Sequence, residues 1–167
     1  FTRLDASGEV KLGDETLTVR GEAWMDHEWS TSALGRDLVG WDWFAVQLED
    51  DRELMIYLMR RRDGGYGPAS SGSIIAPDGT KRHLGPDAFR LRVTKHWTSP
   101  ETDITYPAGW VRDVPGEGLQ LAIDPVIPDQ EMRLAVVYYE GAIRVRGEGV
   151  KGRGFVELVG YGDTKAD

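Results

Sequence analysis

Glycine and proline punctuate this chain from end to end, 21 and 8 of them, and the apolar residues between them alternate with polar ones more often than they recur at helical spacing. Alternation sends successive side chains to opposite faces of a strand, whereas a half-buried helix needs apolar residues every three or four positions. No long amphipathic helix fits this pattern. It predicts roughly ten strands, over about 2–12, 16–24, 39–49, 53–61, 71–76, 89–96, 106–114, 119–126, 132–145 and 154–161. Leu12-Gly13-Asp14-Glu15, Glu49-Asp50-Asp51-Arg52, Pro77-Asp78-Gly79-Thr80 and Pro115-Gly116-Glu117-Gly118 are short enough to close hairpins, so successive strands pair antiparallel. A sheet of this many strands curls, and closing it removes both edges. The expected fold is all-β, an up-and-down antiparallel barrel, with a sandwich as the second choice.

Composition sets the outer limits. Lys plus Arg number 20 against 28 for Asp plus Glu, and the net charge of −8 argues against nucleic-acid backbones and anionic membranes as partners. Without cysteine there is no disulfide framework, thiolate nucleophile or zinc knuckle. No apolar run nears the roughly 18 residues that span a bilayer, and no signal peptide is recognisable. One domain is expected over 1–161, followed by a polar, frayed tail at 162–167. The chain starts at Phe1, which is read as a processed or internal boundary with more protein upstream.

Chemistry concentrates between Gly21 and Leu48, where four of the six tryptophans, Trp24, Trp29, Trp41 and Trp43, stand beside Asp26, His27, Glu28 and Asp42. Aromatic walls with a few acid, base and amide groups suit a pocket for an apolar small molecule. His27 can give or take a proton near neutral pH, and Asp26 or Glu28 can orient it; a hydrogen-bonded structural histidine at a strand end is the competing reading. In an extended segment His27 and Trp29 share a side.

In the next strand Trp41, Trp43, Ala45 and Gln47 share one face and Asp42, Phe44, Val46 and Leu48 the other. Both are largely apolar, so one can line a cavity while the other packs against a second layer. Met55, Tyr57 and Met59 share a face, as do Phe155, Glu157, Val159 and Tyr161, which sets Glu157 among aromatics where its pKa rises unless it is paired. Tyr57 is either a proton donor or a packing residue. The expected catalytic set is His27, Asp26, Glu28, Tyr57 and Glu157; the expected ligand-binding set is Trp24, Trp29, Trp41, Trp43, Gln47, Met55 and Met59.

Neither metal nor cofactor is expected. His27, His83 and His96 stand far apart with no His-Glu-x-x-His pattern, no Gly-x-Ser-x-Gly elbow occurs, and Gly147-Glu148-Gly149-Val150-Lys151-Gly152 lacks phosphate-loop spacing. Pro128-Asp129-Gln130-Glu131 reads as the start of a strand at a barrel rim, with solvated carboxylates.

A run of short motifs extends through almost the whole chain: Ala23-Trp24-Met25-Asp26-His27-Glu28-Trp29, Gly40-Trp41-Asp42-Trp43-Phe44, Arg52-Glu53-Leu54-Met55, Trp97-Thr98-Ser99-Pro100, Tyr106-Pro107-Ala108-Gly109-Trp110, Pro128-Asp129-Gln130-Glu131 and Gly152-Arg153-Gly154-Phe155-Val156-Glu157-Leu158. Taken in order, they resemble the lipocalin-like proteins grouped with carotenoid 1,2-hydratases and described as predicted secreted hydrolases. The resemblance implies a lipocalin-like β-barrel, often exported, hence secreted or periplasmic, acting on an apolar molecule. Members usually carry two such barrels and this chain is similar to the second, so the implied partner is an amino-terminal lipocalin-like domain.

In the hydratase branch water adds across a terminal alkene of a carotenoid, which calls for an acid and for aromatic faces to stabilise the cation. The resemblance carries the His-x-Trp pair onto His27 and Trp29 and a strand tyrosine onto Tyr57. An aspartate is expected two residues beyond that tyrosine. Met59 stands there instead, a departure that removes the proton donor of carotenoid hydration. Other relatives on this fold are pericyclases, which hold a polyene in a reactive shape. The leading expectation is water addition, hydrolysis or related acid–base chemistry on a polyene, terpenoid or lipid-like molecule. The alternatives are a non-catalytic lipid or pigment carrier and a pericyclase or isomerase.

Overall fold

The computed structural model describes residues 1–29, 34–35 and 37–162; most of the polar link after Trp29, and the tail beyond Gly162, lie outside them. The chain divides into two compact units, Phe1–Thr31 and Ser32–Asp167.

The first unit is one long hairpin. Strands β1 (Leu4–Leu12) and β2 (Glu15–Ala23) pair antiparallel from Leu4↔Ala23 to Leu12↔Glu15. Gly13 turns the corner at φ 60°, a left-handed conformation that glycine adopts without a Cβ clash. Val10 lies opposite Leu17 and Gly8 opposite Val19, so the apolar residues of the ribbon share one face. An Arg3–Glu22 ion pair of 2.6 Å and reciprocal backbone hydrogen bonds between Phe1 and Met25 fasten its open end.

The second unit is one large curled sheet. Its strands are β3 (Leu38–Leu48), β4 (Glu53–Arg61), β5 (Ser71–Ile75), β6 (Lys81–Leu84), β7 (Arg90–Thr98), β8 (Thr105–Val114), β9 (Leu119–Pro125), β10 (Glu131–Arg133), β11 (Val137–Gly147) and β12 (Val150–Val159). They lie in the order β6-β5-β4-β3-β12-β11-β9-β8-β7, with β10 also paired to β11. From β3 to β6 and from β7 to β9 sequential strands are neighbours, β11 pairs with β9 and β12, and β3 pairs with β12, the strand order of an up-and-down barrel. No ladder between β6 and β7 occurs among the described residues; the chain joins them through a short 3-10 turn at Pro86–Ala88.

The expected all-β, lipocalin-like antiparallel architecture is therefore what forms, with three differences in its parts. Residues 81–84 form a strand that their alternation did not announce, and 132–145 divides between β10 and β11. The hairpin β1–β2 forms a sheet of its own.

Curling is visible in the core. Phe44 on β3 meets Trp110 on β8 edge to face, ring centroids 5.4 Å apart, although three strands separate them along the sheet. Phe44, Val46, Leu54, Ile56, Leu121, Ile143, Val156 and Leu158 belong to one buried cluster, drawn from alternate positions of their strands. The interior-facing register of β3 is accordingly Asp42, Phe44, Val46 and Leu48.

Candidate functional site

The opposite register of β3 builds a small grid on the outer face of the barrel. Glu157 on β12 lies opposite Trp43, which lies opposite Tyr57 on β4. The row on one side is Val159, Trp41 and Met59; the row on the other is Phe155, Ala45 and Met55. Directly opposed residues place their Cβ atoms about 4.5–5.5 Å apart, so a carboxylate and a phenol flank one indole. The Trp41 and Tyr57 rings come within 6.4 Å. The tryptophans and Tyr57 are half-buried, whereas Phe155 is 49% exposed. Met59 also lines a depression of about 400 Å³ with Leu38, Gly67 and Pro68.

Seven of the sequence-selected residues, Trp41, Trp43, Gln47, Met55, Tyr57, Met59 and Glu157, thus share one face of three adjacent strands. That face turns away from the packed core. Tyr161 does not share it: Gly160 takes φ 77° after the end of β12, breaks the alternation, and turns the phenol to the interior, where its ring lies 5.6 Å from that of Tyr106. In the amino-terminal unit, His27 and Trp29 lie on one side as expected, ring centroids 4.3 Å apart. The Asp26 carboxylate accepts a 3.1 Å hydrogen bond from the Trp24 indole. His27, Glu28 and Trp29 are exposed.

A second constellation, absent from the expected catalytic and binding sets, lies on the interior face of the sheet. Asp42, 1% exposed, accepts a 2.9 Å hydrogen bond from the Tyr161 hydroxyl, and Arg60 Nε lies 3.2 Å from the same oxygen. The Arg60 guanidinium stacks 3.6 Å over the Tyr161 ring and donates to the Val159 carbonyl. Burial pushes Asp42 up to about 6 even though Arg60, Tyr161 and Arg112 all pull it down. Burial, reinforced by the Asp42 charge, raises the Tyr161 hydroxyl well above the ordinary phenol range, which keeps it a proton donor. Arg112 on β8 is fully buried between Phe44 and Phe89, 5.3 and 5.1 Å from their ring centroids.

A third group is built on Glu131. Its side chain is buried and accepts from Ser99 at 2.8 Å, Thr102 at 2.6 Å, Tyr106 at 3.0 Å and Arg133 at 3.2 Å. Burial raises its carboxyl, but these donors outweigh it and hold the pKa below the usual range. The expectation that the carboxylates of Pro128-Asp129-Gln130-Glu131 are solvated is corrected here for Glu131: the Ser99-to-Thr102 turn folds over it. The Asp42 group and Arg112 had one legible signal, a polar residue in phase with an apolar stripe. Asp42 is in phase with Phe44, Arg60 with Leu58, and Arg112 with Trp110.

The AttH-like family model matches residues 1–161. The chain belongs to the AttH-like family. It resembles a crystal structure of an AttH from Nitrosomonas europaea with a TM-score of 0.87 and 30% identity, over 96% of this chain and 50% of that one. It is 25% identical over 158 residues to kievitone hydratase of Fusarium solani subsp. phaseoli, covering 88% of this chain and 44% of that protein. The crystal structure of kievitone hydratase from Nectria haematococca shares the fold, with a TM-score of 0.71 at 19% identity, over 92% of this chain and 49% of that one. This AttH-like chain spans about half the length of the relatives it matches.

Proposed function

We propose that this AttH-like chain is part of a hydratase that adds water to an alkene of an apolar small molecule, with the Glu157–Trp43–Tyr57 row as its working surface. The observation that carries the reading is that row, in which a proton donor and a proton acceptor flank an aromatic face across three paired strands. An alkene laid on Trp43 takes a proton from the Tyr57 hydroxyl at one carbon, and the indole stabilises the resulting cation. Water bonds to the other carbon and gives its surplus proton to Glu157; exchange with solvent then restores both side chains. Trp41, Met55 and Met59 supply apolar contact around the row. The 25% identity to a kievitone hydratase supports hydration over the alternatives. Export from the cytoplasm and an amino-terminal lipocalin-like partner domain belong to the same proposal.

His27 is the rival proton donor, and single variants separate the two assignments. The protein is incubated in ¹⁸O-labelled water with kievitone, the substrate in the relative's name, and with apolar alkenes. One labelled oxygen should enter the product, and Tyr57→Phe or Glu157→Gln should each slow this by about 10²-fold or more, the usual scale of a lost general acid or base. Full loss in His27→Ala with Tyr57→Phe unchanged moves the donor role to His27. A transformed but unlabelled product replaces hydration with isomerase or pericyclase chemistry, and a compound that binds and returns unchanged makes the domain a carrier.

A further inference from the structure

Strands β7 and β8 are irregular where they run past each other. Their register passes from Val93↔Trp110 to Lys95↔Gly109 and then to His96↔Pro107, so Thr94 on β7 and Ala108 on β8 are each left over as an extra residue. Bulges of this kind re-aim the side chains around them. These border a surface depression of about 290 Å³, lined by Lys95, His96, Trp97, Ala108, Pro125 and Pro128, with Asp124 also on its wall. That volume is at the bottom of the range of small-molecule sites, which gives room for one ring rather than a polyene.

The wall has an apolar part and a cationic part. Trp97, Ala108, Pro125 and Pro128 offer carbon surface, and Trp97 is held in place by stacking on Tyr106, 6.3 Å between centroids with the planes 19° apart. Lys95 reaches Asp124 on β9, two strands or about 10 Å away, by laying its stem over β8 at Gly109, where a Cβ would stand 3.3 Å from Lys95 Cβ and Cδ. An ammonium has three N–H donors, and one of them goes to Asp124 at 2.8 Å; the side chain stays 65% exposed. Asp124 does not cancel this cation. Its other oxygen accepts from Arg146 at 2.6 Å, and it stands opposite Arg144 in the β9–β11 ladder. One carboxylate thus faces three cations beside an apolar depression, and a second carboxylate is what the Lys95 ammonium and the His96 N–H can jointly receive.

We infer that the depression at the β7–β8 bulge binds a small aromatic monocarboxylate, its ring against Trp97, Pro125 and Pro128 and its carboxylate on the Lys95 ammonium and the His96 imidazole. The site is built on β7, β8 and β9, and β11 separates it from the Glu157–Trp43–Tyr57 row of β12, β3 and β4, so neither proposal rests on the other.

The ¹⁵N-labelled full chain is titrated with phenylacetate, with phenylacetamide, which keeps the ring without the charge, and with acetate, which keeps the charge without the ring. Phenylacetate should shift the amides of Lys95, His96 and Ala108 and the Trp97 indole in a saturable way, with a dissociation constant of about millimolar or tighter. Phenylacetamide and acetate should each bind at least about tenfold more weakly. Lys95→Gln should weaken phenylacetate by about tenfold and leave the rest of the spectrum in place, since an exposed ion pair contributes little to the fold. Equal binding of phenylacetamide overturns the inference by removing the ion pair, equal binding of acetate by removing the ring contact, and equal phenylacetate binding by Lys95→Gln by putting the ligand elsewhere. Absence of saturable shifts at these residues up to roughly tens of millimolar also overturns it, and makes the depression a gap between bulged strands. The three-ligand comparison needs no variant, so it stands whether or not Lys95→Gln folds.

Discussion

Burial holds Asp42 at about 6, against an ordinary aspartate near 3.8, because taking its charge out of water costs more than Arg60 and Tyr161 return. Between those two values the folded chain keeps a proton that the unfolded chain releases. Asp42 therefore stabilises the fold below about pH 4, and that contribution is lost as pH rises through the folded pKa. A shift of about two pKa units corresponds to roughly 3 kcal/mol. Glu131 and Asp124 have depressed values and act with the opposite sign, their contributions fading as pH falls. Urea unfolding of the native chain and of Asp42→Asn between pH 4 and 7 isolates the aspartate. The difference in stability between the two should change by about 3 kcal/mol across this window, and a pH-independent difference would contradict the raised value. The position of Asp42 was legible in the sequence, in phase with Phe44 and Val46. Its partners were not, because Arg60 reaches it across a strand pair and Tyr161 arrives only through the left-handed turn at Gly160.

The element that joins the two halves of the curled sheet is the pairing of β3 with β12, and glycine makes it possible. A Cβ on Gly154 would run into the carbonyl of Ala45, and one on Gly40 into the carbonyl of Val159. Backbone this close marks a tightly coiled part of a sheet, where a side chain has no room and repacking means moving a strand. Gly154→Ala should lower stability by about 1–3 kcal/mol or more, read as a lower urea midpoint. An unchanged midpoint would mean that the strand relaxes without cost. Gly149 gives a local contrast: it takes φ 68° in the β11–β12 turn with open space around it, so a residue there meets backbone strain rather than a clash. The sequence shows all of these glycines alike as strand breakers. Which of them permit a close approach depends on a partner strand about a hundred residues away in the chain.

At the scale of the molecule, joining β3 to β12 pairs the beginning of the curled sheet with its end, as in Val159↔Trp41 and Gly152↔Leu48. Loop closure of that length must precede the contacts that reward it, and all-β folds rich in such pairings fold slowly. Stopped-flow refolding should accordingly recover the tryptophan signal over roughly milliseconds to seconds. Complete recovery within the dead time would argue that the closing strands are already associated in the unfolded chain. By itself the sequence determined the all-β class, most of the strands and the residues that share a face, because alternation with a period of two is a local property of each strand. Its ordered motifs also carried the family. It left open which face of β3 is inside, since both are apolar. Only the curling of the sheet and the pairing of β3 with β12 decided that Phe44 points inward while Trp41 and Trp43 point out, that Glu157, Trp43 and Tyr57 form a row, and that Arg112 is buried against an aromatic three strands away. Those outcomes depend on which distant strands meet, and no local periodicity encodes that choice.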